Sequence, residues 1–379
     1  MKKLFFLCIL LTAHFTLYPW TFVPFDEHST ILHGLRPLSG KGAYLDIVVN
    51  LCFYVPLGVL GVLGWWKGSG TASRWIALAA FGAALSFTLE TIQAWVPGRD
   101  SSLLDVINNT VGTIAGARLG VAIAAHLPSG LRLELPSPRW SMPAVLIAAW
   151  LVSQWFPFLP ILHIAPFSES LHALMQVSSL GWIDLADAFV AALLIGRLLR
   201  EALASSAYRL ALAGACLALP ARLFLVVGAT PWPLAVAFAA GLLVSALVLA
   251  RVHAGTWLLA AAAVLLIAVR ELQPFRFAGA AGPFYWVPFS AFIEATRDSA
   301  IRVSAGKFFL YGATVWMARN AGVPLAIATA GIGGLLIAGE FAQRYLPGRV
   351  AESTDPVLAL IATCVIFWLK DRRAYVPRP

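Results

Sequence analysis

The chain has 379 residues, of which 60% are hydrophobic and 12% are charged. A soluble globular protein carries about 25% charged residues because its surface must be solvated, so this composition excludes a soluble single-core domain and a disordered chain. The net charge of +9 is spread between apolar runs, whereas a nucleic-acid-binding protein would concentrate it in a patch. We therefore predict an all-α fold, a polytopic bundle of transmembrane helices, with no nucleic-acid partner.

Apolar runs recur along the whole chain, and about twelve of them approach the roughly 20 residues that a helix needs to cross a bilayer. The first run follows Lys2 and Lys3, as in a signal peptide. Because no small-x-small cleavage site follows it, we interpret it as a retained membrane helix. The predicted spans are residues 4–20, 45–66, 75–96, 103–125, 141–162, 182–200, 207–228, 231–252, 255–272, 301–318, 323–345 and 354–370.

The positions of lysine and arginine predict the orientation, since short cytoplasmic loops of membrane proteins are enriched in both. With the N-terminus inside, the inner loops and the C-terminal tail are basic, while the outer loop at 163–181 has no Lys or Arg. We predict a bacterial-type plasma (inner) membrane protein with both termini in the cytoplasm. The arginines that disagree with this orientation all lie in the C-terminal third: Arg270, Arg276, Arg297, Arg302, Arg344 and Arg349.

A short segment of the chain occurs twice. Residues 90–99 (ETIQAWVPGR) return as residues 340–349 (EFAQRYLPGR), and Asp105 returns as Asp355, so that six identical residues share an offset of 250. Because such agreement without a gap is improbable by chance, we predict an internal repeat. Pro-Phe pairs at 24–25 and 288–289 extend the similarity towards the beginning of each copy.

The repeat divides the chain into three predicted parts. Residues 1–125 are the first copy, residues 126–254 are a central transmembrane segment, and residues 255–379 are a second, degenerate copy with a basic cytoplasmic tail. Each part contains four predicted helices. An even number of helices separates the two copies, so they share one orientation and the duplication is parallel.

The repeated segment carries the candidate polar site. Ionisable residues inside membrane segments are costly and usually face the interior of the bundle. Glu90 and Gln93 lie on one helical face because they are three residues apart, and Asp105 and Asn109 share another face. The candidate residues of the first copy are Asn50, Glu90, Gln93, Arg99, Asp105, Asn108 and Asn109; their counterparts in the second copy are Lys307, Glu340, Gln343, Arg349 and Asp355.

Three interpretations of these residues remain open. Arg99 pairs with Glu90 or Asp105 as a scaffold, or it binds the phosphate or carboxylate of an envelope lipid or glycan, or the carboxylates act as general acid and base. In the second copy, Lys307 is positioned in the sequence to neutralise Glu340.

Other charged residues allow simpler interpretations. We expect Arg222 to extend outward from its helix, and Asp184 and Asp187 either cap their helix or add to an outer carboxylate cluster. No nucleotide-binding or metal-binding motif is present, and the four cysteines lie inside apolar runs. We therefore expect no cofactor and no metal.

The polar motif resembles the VanZ-like domain. The residues that carry the resemblance are Asn50, Phe53, Pro56, Leu57, Gly58, Glu90, Gln93, Pro97, Gly98, Arg99, Asp105, Asn108, Asn109 and Gly112. The first copy matches the whole pattern. The second departs from it at four positions, Lys307, Leu358, Ala359 and Ala362, which puts a working second site in doubt. The resemblance implies an integral membrane protein, and the founding member of the family is associated with resistance to glycopeptide antibiotics.

These observations favour a membrane protein that recognises or modifies a cell-envelope component, a lipid-linked or surface glycan, in a role like that of glycopeptide resistance. Membrane lipids are the other expected partner, and the sequence makes no prediction of an oligomeric state. The alternatives are an integral-membrane enzyme of exopolysaccharide or lipid-linked glycan processing and a secondary transporter. The transporter is less favoured because the polar motif lies at one interface, whereas transporter sites lie near the midplane.

The charge bias predicts the outcome of accessibility labelling in intact cells. A cysteine placed in the turn at 97–102 or at 347–353 should react with a membrane-impermeant reagent added from outside, and a cysteine at residue 130 should not. Reaction at residue 130 without reaction in either turn would contradict the predicted orientation.

Overall fold

The computed structural model describes residues 2–23, 41–65, 72–97, 101–126, 141–159, 164–177, 180–203, 205–225, 230–249, 255–290 and 296–371. Over these ranges the regular structure is helical apart from one parallel pair of two-residue strands, β1 (Phe284–Tyr285) and β2 (Ala351–Glu352), which confirms the all-α class. The helices are α1 (Lys2–Leu17), α2 (Lys41–Trp65), α3 (Ala72–Gln93), α4 (Leu103–His126), α5 (Met142–Trp155), α6 (Ile164–Met175), α7 (Trp182–Ala202), α8 (Ser205–Cys216), α9 (Arg222–Leu225), α10 (Trp232–Val244), α11 (Gly255–Leu272), α12 (Arg297–Asn320), α13 (Leu325–Gln343) and α14 (Thr354–Asp371).

The chain forms two compact units, Met1–Arg139 and Trp140–Pro379, which we call the N-terminal unit and the C-terminal unit. Among the described residues, four helical segments are long and apolar enough to cross a membrane: Ile47–Trp65, Ser73–Gln93, Gly255–Leu272 and Leu325–Gln343. Shorter apolar helical segments accompany them at Leu4–Leu17, Met142–Trp155, Trp232–Leu247 and Thr354–Leu369. Helices of this length and composition support a membrane protein.

The middle of the chain departs from the predicted spans. Helix α6 occupies much of the predicted outer loop at 163–181. The predicted span at 207–228 is not one helix, because α8 ends at Cys216 and turns precede the short α9. Pro220 contributes to this interruption, since proline has no N–H to donate within a helix. Helix α10 continues into a π-helical turn, Ser245–Leu249.

Glycines bring α2 and α4 of the N-terminal unit into backbone contact. A Cβ atom at Gly112 would collide with the carbonyl oxygen of Leu51. One helical turn later, a Cβ atom at Gly116 would collide with the carbonyl oxygen of Val55. Small residues allow this approach in membrane helices, where close packing takes the place of a hydrophobic driving force.

The C-terminal unit contains a similar close pair, α7 and α10. A Cβ atom at Gly241 would lie 2.5 Å from the carbonyl oxygen of Phe189. One turn later, the hydroxyl of Ser245 donates a hydrogen bond of 3.1 Å to the carbonyl of Leu193. The core beside this pair includes Trp150, whose ring stacks on Phe238 with the centroids 5.1 Å apart.

Helices α1, α5 and α11 end in the same way. Each is followed by a cis proline and then by an aromatic residue with positive φ: Trp20 at 61°, Phe158 at 65° and Phe275 at 62°. The backbone N–H of each aromatic residue donates to the carbonyl three positions earlier, at 2.8, 2.5 and 2.8 Å respectively. The chain therefore turns sharply at the same point after each of these helices.

After this turn, the chain crosses the end of α3 in the N-terminal unit and the end of α13 in the C-terminal unit. The backbone N–H of Val23 donates to the carbonyl of Trp95 at 2.8 Å, and that of Ala278 donates to the carbonyl of Tyr345 at 2.6 Å. The two acceptors, Trp95 and Tyr345, are 250 positions apart in the sequence, which is the offset of the repeated segment.

Exposure along α3 and α13 follows one pattern. From residue 75 to 90 and from 325 to 340, each residue falls in the same class, buried, intermediate or exposed, as its partner 250 positions later. The two helices also end at equivalent residues, Gln93 and Gln343. Each helix therefore presents the same faces to its surroundings in its own unit.

Substitution of Gly116 by alanine should destabilise the N-terminal unit, because the new methyl group has no space against the α2 backbone. Overpacking of this kind costs about 1–3 kcal/mol, so the melting temperature of the detergent-solubilised protein should fall. Gly214→Ala is the matched control, since a Cβ atom there meets nothing within 4 Å. Equal melting temperatures for the two variants would contradict the backbone contact.

Candidate functional site

A buried glutamate lies at the corner between α3 and α4. Glu90 is only 5% exposed, and its Oε2 accepts a hydrogen bond of 3.1 Å from the backbone N–H of Ser102. The hydroxyl of Ser101 donates to the carbonyl of Glu90 at 2.7 Å. The carboxylate thereby binds one of the backbone N–H groups that the beginning of a helix leaves without a helical partner.

Helix α2 adds an amide to this corner. The Nδ2 of Asn50 donates a hydrogen bond of 2.6 Å to Oδ1 of Asp105, in the first turn of α4. The structure therefore brings these two candidate residues of the first copy together.

Two asparagines of α4 have buried polar atoms without partners. Asn109 donates from Nδ2 to the hydroxyl of Ser86 at 2.9 Å. Its Oδ1 and the Nδ2 of Asn108 have no hydrogen-bond partner among the described residues. Gln93, at the end of α3, is also buried. The structure thus places six of the seven predicted residues of the first site, whereas Arg99 lies outside the described residues.

The C-terminal unit repeats the glutamate corner. Oε2 of Glu340, which is 2% exposed, accepts a hydrogen bond of 2.8 Å from the backbone N–H of Glu352. Donor and acceptor both lie 250 positions after Ser102 and Glu90. The same interaction therefore connects α3 with the segment before α4 and α13 with the segment before α14.

Lys307 takes the place of Asn50 in this arrangement. Its Nζ lies 2.5 Å from Oδ1 of Asp355, and the phenol of Tyr311 donates to Oδ2 of Asp355 at 2.7 Å. Glu340, the partner expected from the sequence, is not in ion-pair contact with Lys307 among the described residues. Asp355 follows from the fold as the partner, because α12 packs on α14 as α2 packs on α4.

Glu271 completes a carboxylate cluster that the sequence did not predict. It lies at the end of α11, is 6% exposed, and its Oε2 accepts a hydrogen bond of 2.5 Å from Nε2 of Gln343. One carboxylate oxygen each from Glu271, Glu340 and Asp355 lies within 4.8 Å of the other two. The only sign of Glu271 in the sequence was an acidic residue at the end of an apolar run. The first copy has no counterpart of it, so the repeat did not identify it.

A glycine on α13 makes room for Glu271. A Cβ atom at Gly339 would lie 2.8 Å from Cβ and Cγ of Glu271 and 2.9 Å from its Oε2. The position 250 residues earlier is Leu89, which is buried. The C-terminal unit therefore has both the acidic residue and the space for it, while the N-terminal unit fills the corresponding position on α3 with an apolar side chain.

The cluster lines a cavity of about 400 Å³ in the C-terminal unit, which we call the acidic cavity. Besides the three clustered carboxylates, its lining includes three further carboxylates, two amides, a phenol and three basic side chains. The polar and charged lining residues are Asp184, Asp187, Arg270, Glu271, Gln273, Lys307, Tyr311, Glu340, Gln343, Arg349, Glu352 and Asp355.

Several arginines that disagreed with the predicted orientation make contacts within the C-terminal unit. Arg270 pairs with Asp187 at 2.8 Å, and Arg344 donates to the carbonyl of Gly282 at 2.9 Å. Arg349 donates to the carbonyls of Gln273 at 2.9 Å and Arg270 at 2.5 Å. Their positions therefore reflect structural contacts in addition to any effect on membrane orientation.

The two aspartates at the beginning of α7 have different roles. Asp184 caps the helix, since its Oδ2 accepts a hydrogen bond of 2.8 Å from the backbone N–H of Gly181. Asp187 joins the lining of the acidic cavity through its ion pair with Arg270. Asp184 lines the acidic cavity as well, so capping and membership of a carboxylate cluster occur together, and the outer location of that cluster stays a prediction.

The geometry allows two kinds of chemistry. Hydroxyl-rich groups suit a cavity in which carboxylates accept hydrogen bonds and an amide, a phenol and Lys307 donate them. Three oxygens within 4.8 Å of one another are also close enough to share one proton or one hard cation. A shared proton or a shared cation would each reduce the repulsion between the neighbouring carboxylates.

Residues 5–124 match the model of the VanZ/LLP1 family, so the N-terminal part of the chain is VanZ-like. No curated protein and no solved structure matches the chain.

The Lys307–Asp355 pair gives a test of the cluster. In Lys307→Met, three neighbouring carboxylates lose their nearest cation, and breaking a buried pair costs up to about 3–5 kcal/mol. The melting temperature of the solubilised protein should fall, and adding Asp355→Asn to the same chain should recover part of the loss. Additive effects of the two substitutions would show that the residues do not interact.

Proposed function

Because residues 5–124 are VanZ-like, we propose that this protein is a polytopic inner-membrane protein that recognises or modifies a glycan-bearing component of the cell envelope. In this proposal the protein has about twelve spans, and both termini lie in the cytoplasm. Two four-helix copies share one orientation, and each carries its polar site residues near the outer face of the membrane. A role like that of glycopeptide resistance is consistent with this assignment.

The equivalent hydrogen bonds of the two units support the duplication. Glu90 and Glu340 each accept a backbone N–H from the beginning of the next helix, and donors and acceptors keep the 250-residue offset. The equal exposure patterns of α3 and α13 point the same way. Independent sequences would not be expected to reproduce both features.

The observation that carries the functional proposal is the buried carboxylate cluster in the acidic cavity. Ionisable side chains are expensive at membrane depth and mark functional sites there. Glu271, Glu340 and Asp355 present acceptors, and Gln343 and Lys307 present donors, in one cavity of about 400 Å³. Such a lining binds sugar hydroxyls through paired hydrogen bonds, so we assign the glycan part of the ligand to this cavity.

The short distance between the carboxylates favours a second candidate, an integral-membrane enzyme of lipid-linked glycan processing. General acid–base catalysis needs one protonated and one ionised group within reach of the reacting bond. In this candidate, Glu271 and Glu340 are the acid and base pair, and Asp355 lies beside Lys307.

The direct test is identification of the molecules that copurify with the full chain. Mass spectrometry of the mildly solubilised protein should detect a glycolipid or lipid-linked saccharide, and the isosteric variants Glu271→Gln and Glu340→Gln should lose it at unchanged abundance. Retention of the same molecule by both variants would contradict assignment of the glycan to the acidic cavity. Turnover of the molecule by the wild type alone would favour the enzyme.

Gly339→Ala tests the site without changing any charge. The added methyl group should displace the Glu271 side chain and reduce copurification of the ligand at least tenfold. Gly334→Ala on the same helix is the matched control, because a Cβ atom there meets nothing within 4 Å. Equal ligand recovery from the two variants would contradict a role for Glu271.

A further inference from the structure

A second cavity in the C-terminal unit has the opposite charge. It has a volume of about 260 Å³, and we call it the basic cavity. Its charged lining residues are Arg222, Arg270, Arg302, Lys307 and Asp187, four cations against one carboxylate. The uncharged lining includes Ser153 and Gln154, near the end of α5, and the ring of Trp150.

Two of the four cations already have partners. Arg270 pairs with Asp187 at 2.8 Å, and Lys307 pairs with Asp355 at 2.5 Å. Three residues of these pairs, Asp187, Arg270 and Lys307, line both cavities. The positive charge that remains in the basic cavity belongs to Arg222 and Arg302.

Arg222 and Arg302 have no carboxylate partner among the residues that the structure describes. The Nη1 of Arg222 reaches only the amide oxygen of Gln154, at 3.4 Å, and its Nε is buried without a hydrogen-bond partner. Arg302 donates from Nη1 to the carbonyl of Phe156 at 3.1 Å. The guanidinium of Arg222 thus lines the basic cavity, and its outward direction relative to the membrane stays a prediction.

This arrangement is unfavourable without an anion. The two guanidinium groups are close enough to repel each other, and a buried charge is costly unless it is paired and hydrogen-bonded. A planar guanidinium offers a fork of donors that matches phosphate oxygens. The cavity also lies where the apolar helix α5 ends, and phosphate groups of membrane lipids lie at such helix ends.

We propose that the basic cavity binds a phosphate group through Arg222 and Arg302, with Gln154 as a neutral hydrogen-bonding partner. The two sources of this chemistry are free phosphate and the head group of a phospholipid or lipid-linked phosphate. The residues assigned to the phosphate, Arg222, Arg302 and Gln154, do not line the acidic cavity, and the two ligands differ in charge, so failure of this proposal would leave the glycan assignment untouched.

The test is the melting temperature of the full chain in a detergent without phosphate. Inorganic phosphate is compared with chloride at equal ionic strength, and phosphatidic acid is compared with diacylglycerol of the same acyl chains. We expect the melting temperature to rise with a phosphate-containing probe and to stay unchanged with the matched compound that lacks phosphate. A rise with inorganic phosphate assigns the site to the free anion, and a rise with phosphatidic acid alone assigns it to a lipid head group.

Substitutions connect the rise with the cavity. For Arg302→Gln and Arg222→Gln, the probe concentration that gives half of the rise in melting temperature should increase at least tenfold. Arg319→Gln, a matched change near the other end of α12, should leave the response unchanged. No rise in the wild type with either phosphate probe, or an equal response in all three variants, would overturn the proposal.

Gln154→Glu keeps the proposal testable if an arginine variant does not fold. This isosteric change places a carboxylate beside Arg222 and supplies the missing negative charge from within the protein. The melting temperature without phosphate should rise, and the additional rise with phosphate should be lost. A lower melting temperature combined with an undiminished phosphate response would overturn the assignment.

Discussion

The hydrogen bond that a buried glutamate accepts from the next helix is the interaction on which both polar corners depend. An apolar bundle offers few partners for the N–H groups at the beginning of a helix. Glu90 and Glu340 each supply one to an N–H just before the next helix, at 3.1 and 2.8 Å. This bond fixes the turn between α3 and α4 and the turn between α13 and α14. The first turn places Asp105 opposite α2, and the second places Asp355 opposite α12.

The two corners differ in charge, and the differences involve residues that contact one another. An amide partner, Asn50, is sufficient for Asp105, whereas the C-terminal unit uses Lys307 for Asp355. The lysine compensates part of the negative charge added by Glu271, which in turn needs the space at Gly339. From the sequence alone, the departures from the VanZ-like pattern in the C-terminal unit suggested the loss of a site. We interpret them instead as features of a different cavity.

The sequence predicted the helical class and most of the polar residues because both depend on local patterns. Apolar runs indicate helices, and the 250-residue offset identified Glu340, Gln343 and Asp355 without knowledge of their contacts. The identity of the Lys307 partner and the participation of Glu271 could not be predicted, since both depend on how α11, α12 and α14 approach one another. The place of Arg222 in the lining of the basic cavity could not be predicted either, because a single arginine after a proline gives no signal of a cavity.

The short parallel strand pair links the loop between α11 and α12 to the buried carboxylates of the C-terminal unit. Glu352 pairs with Tyr285 through β2, while its backbone N–H donates to Glu340. The loop is fastened a second time where the N–H of Phe289 donates to the hydroxyl of Thr354 at 2.7 Å. Displacement of this loop would therefore also displace the peptide N–H of Glu352 that donates to Glu340. Movement of the loop and rearrangement of the buried carboxylates are thus coupled through one backbone segment.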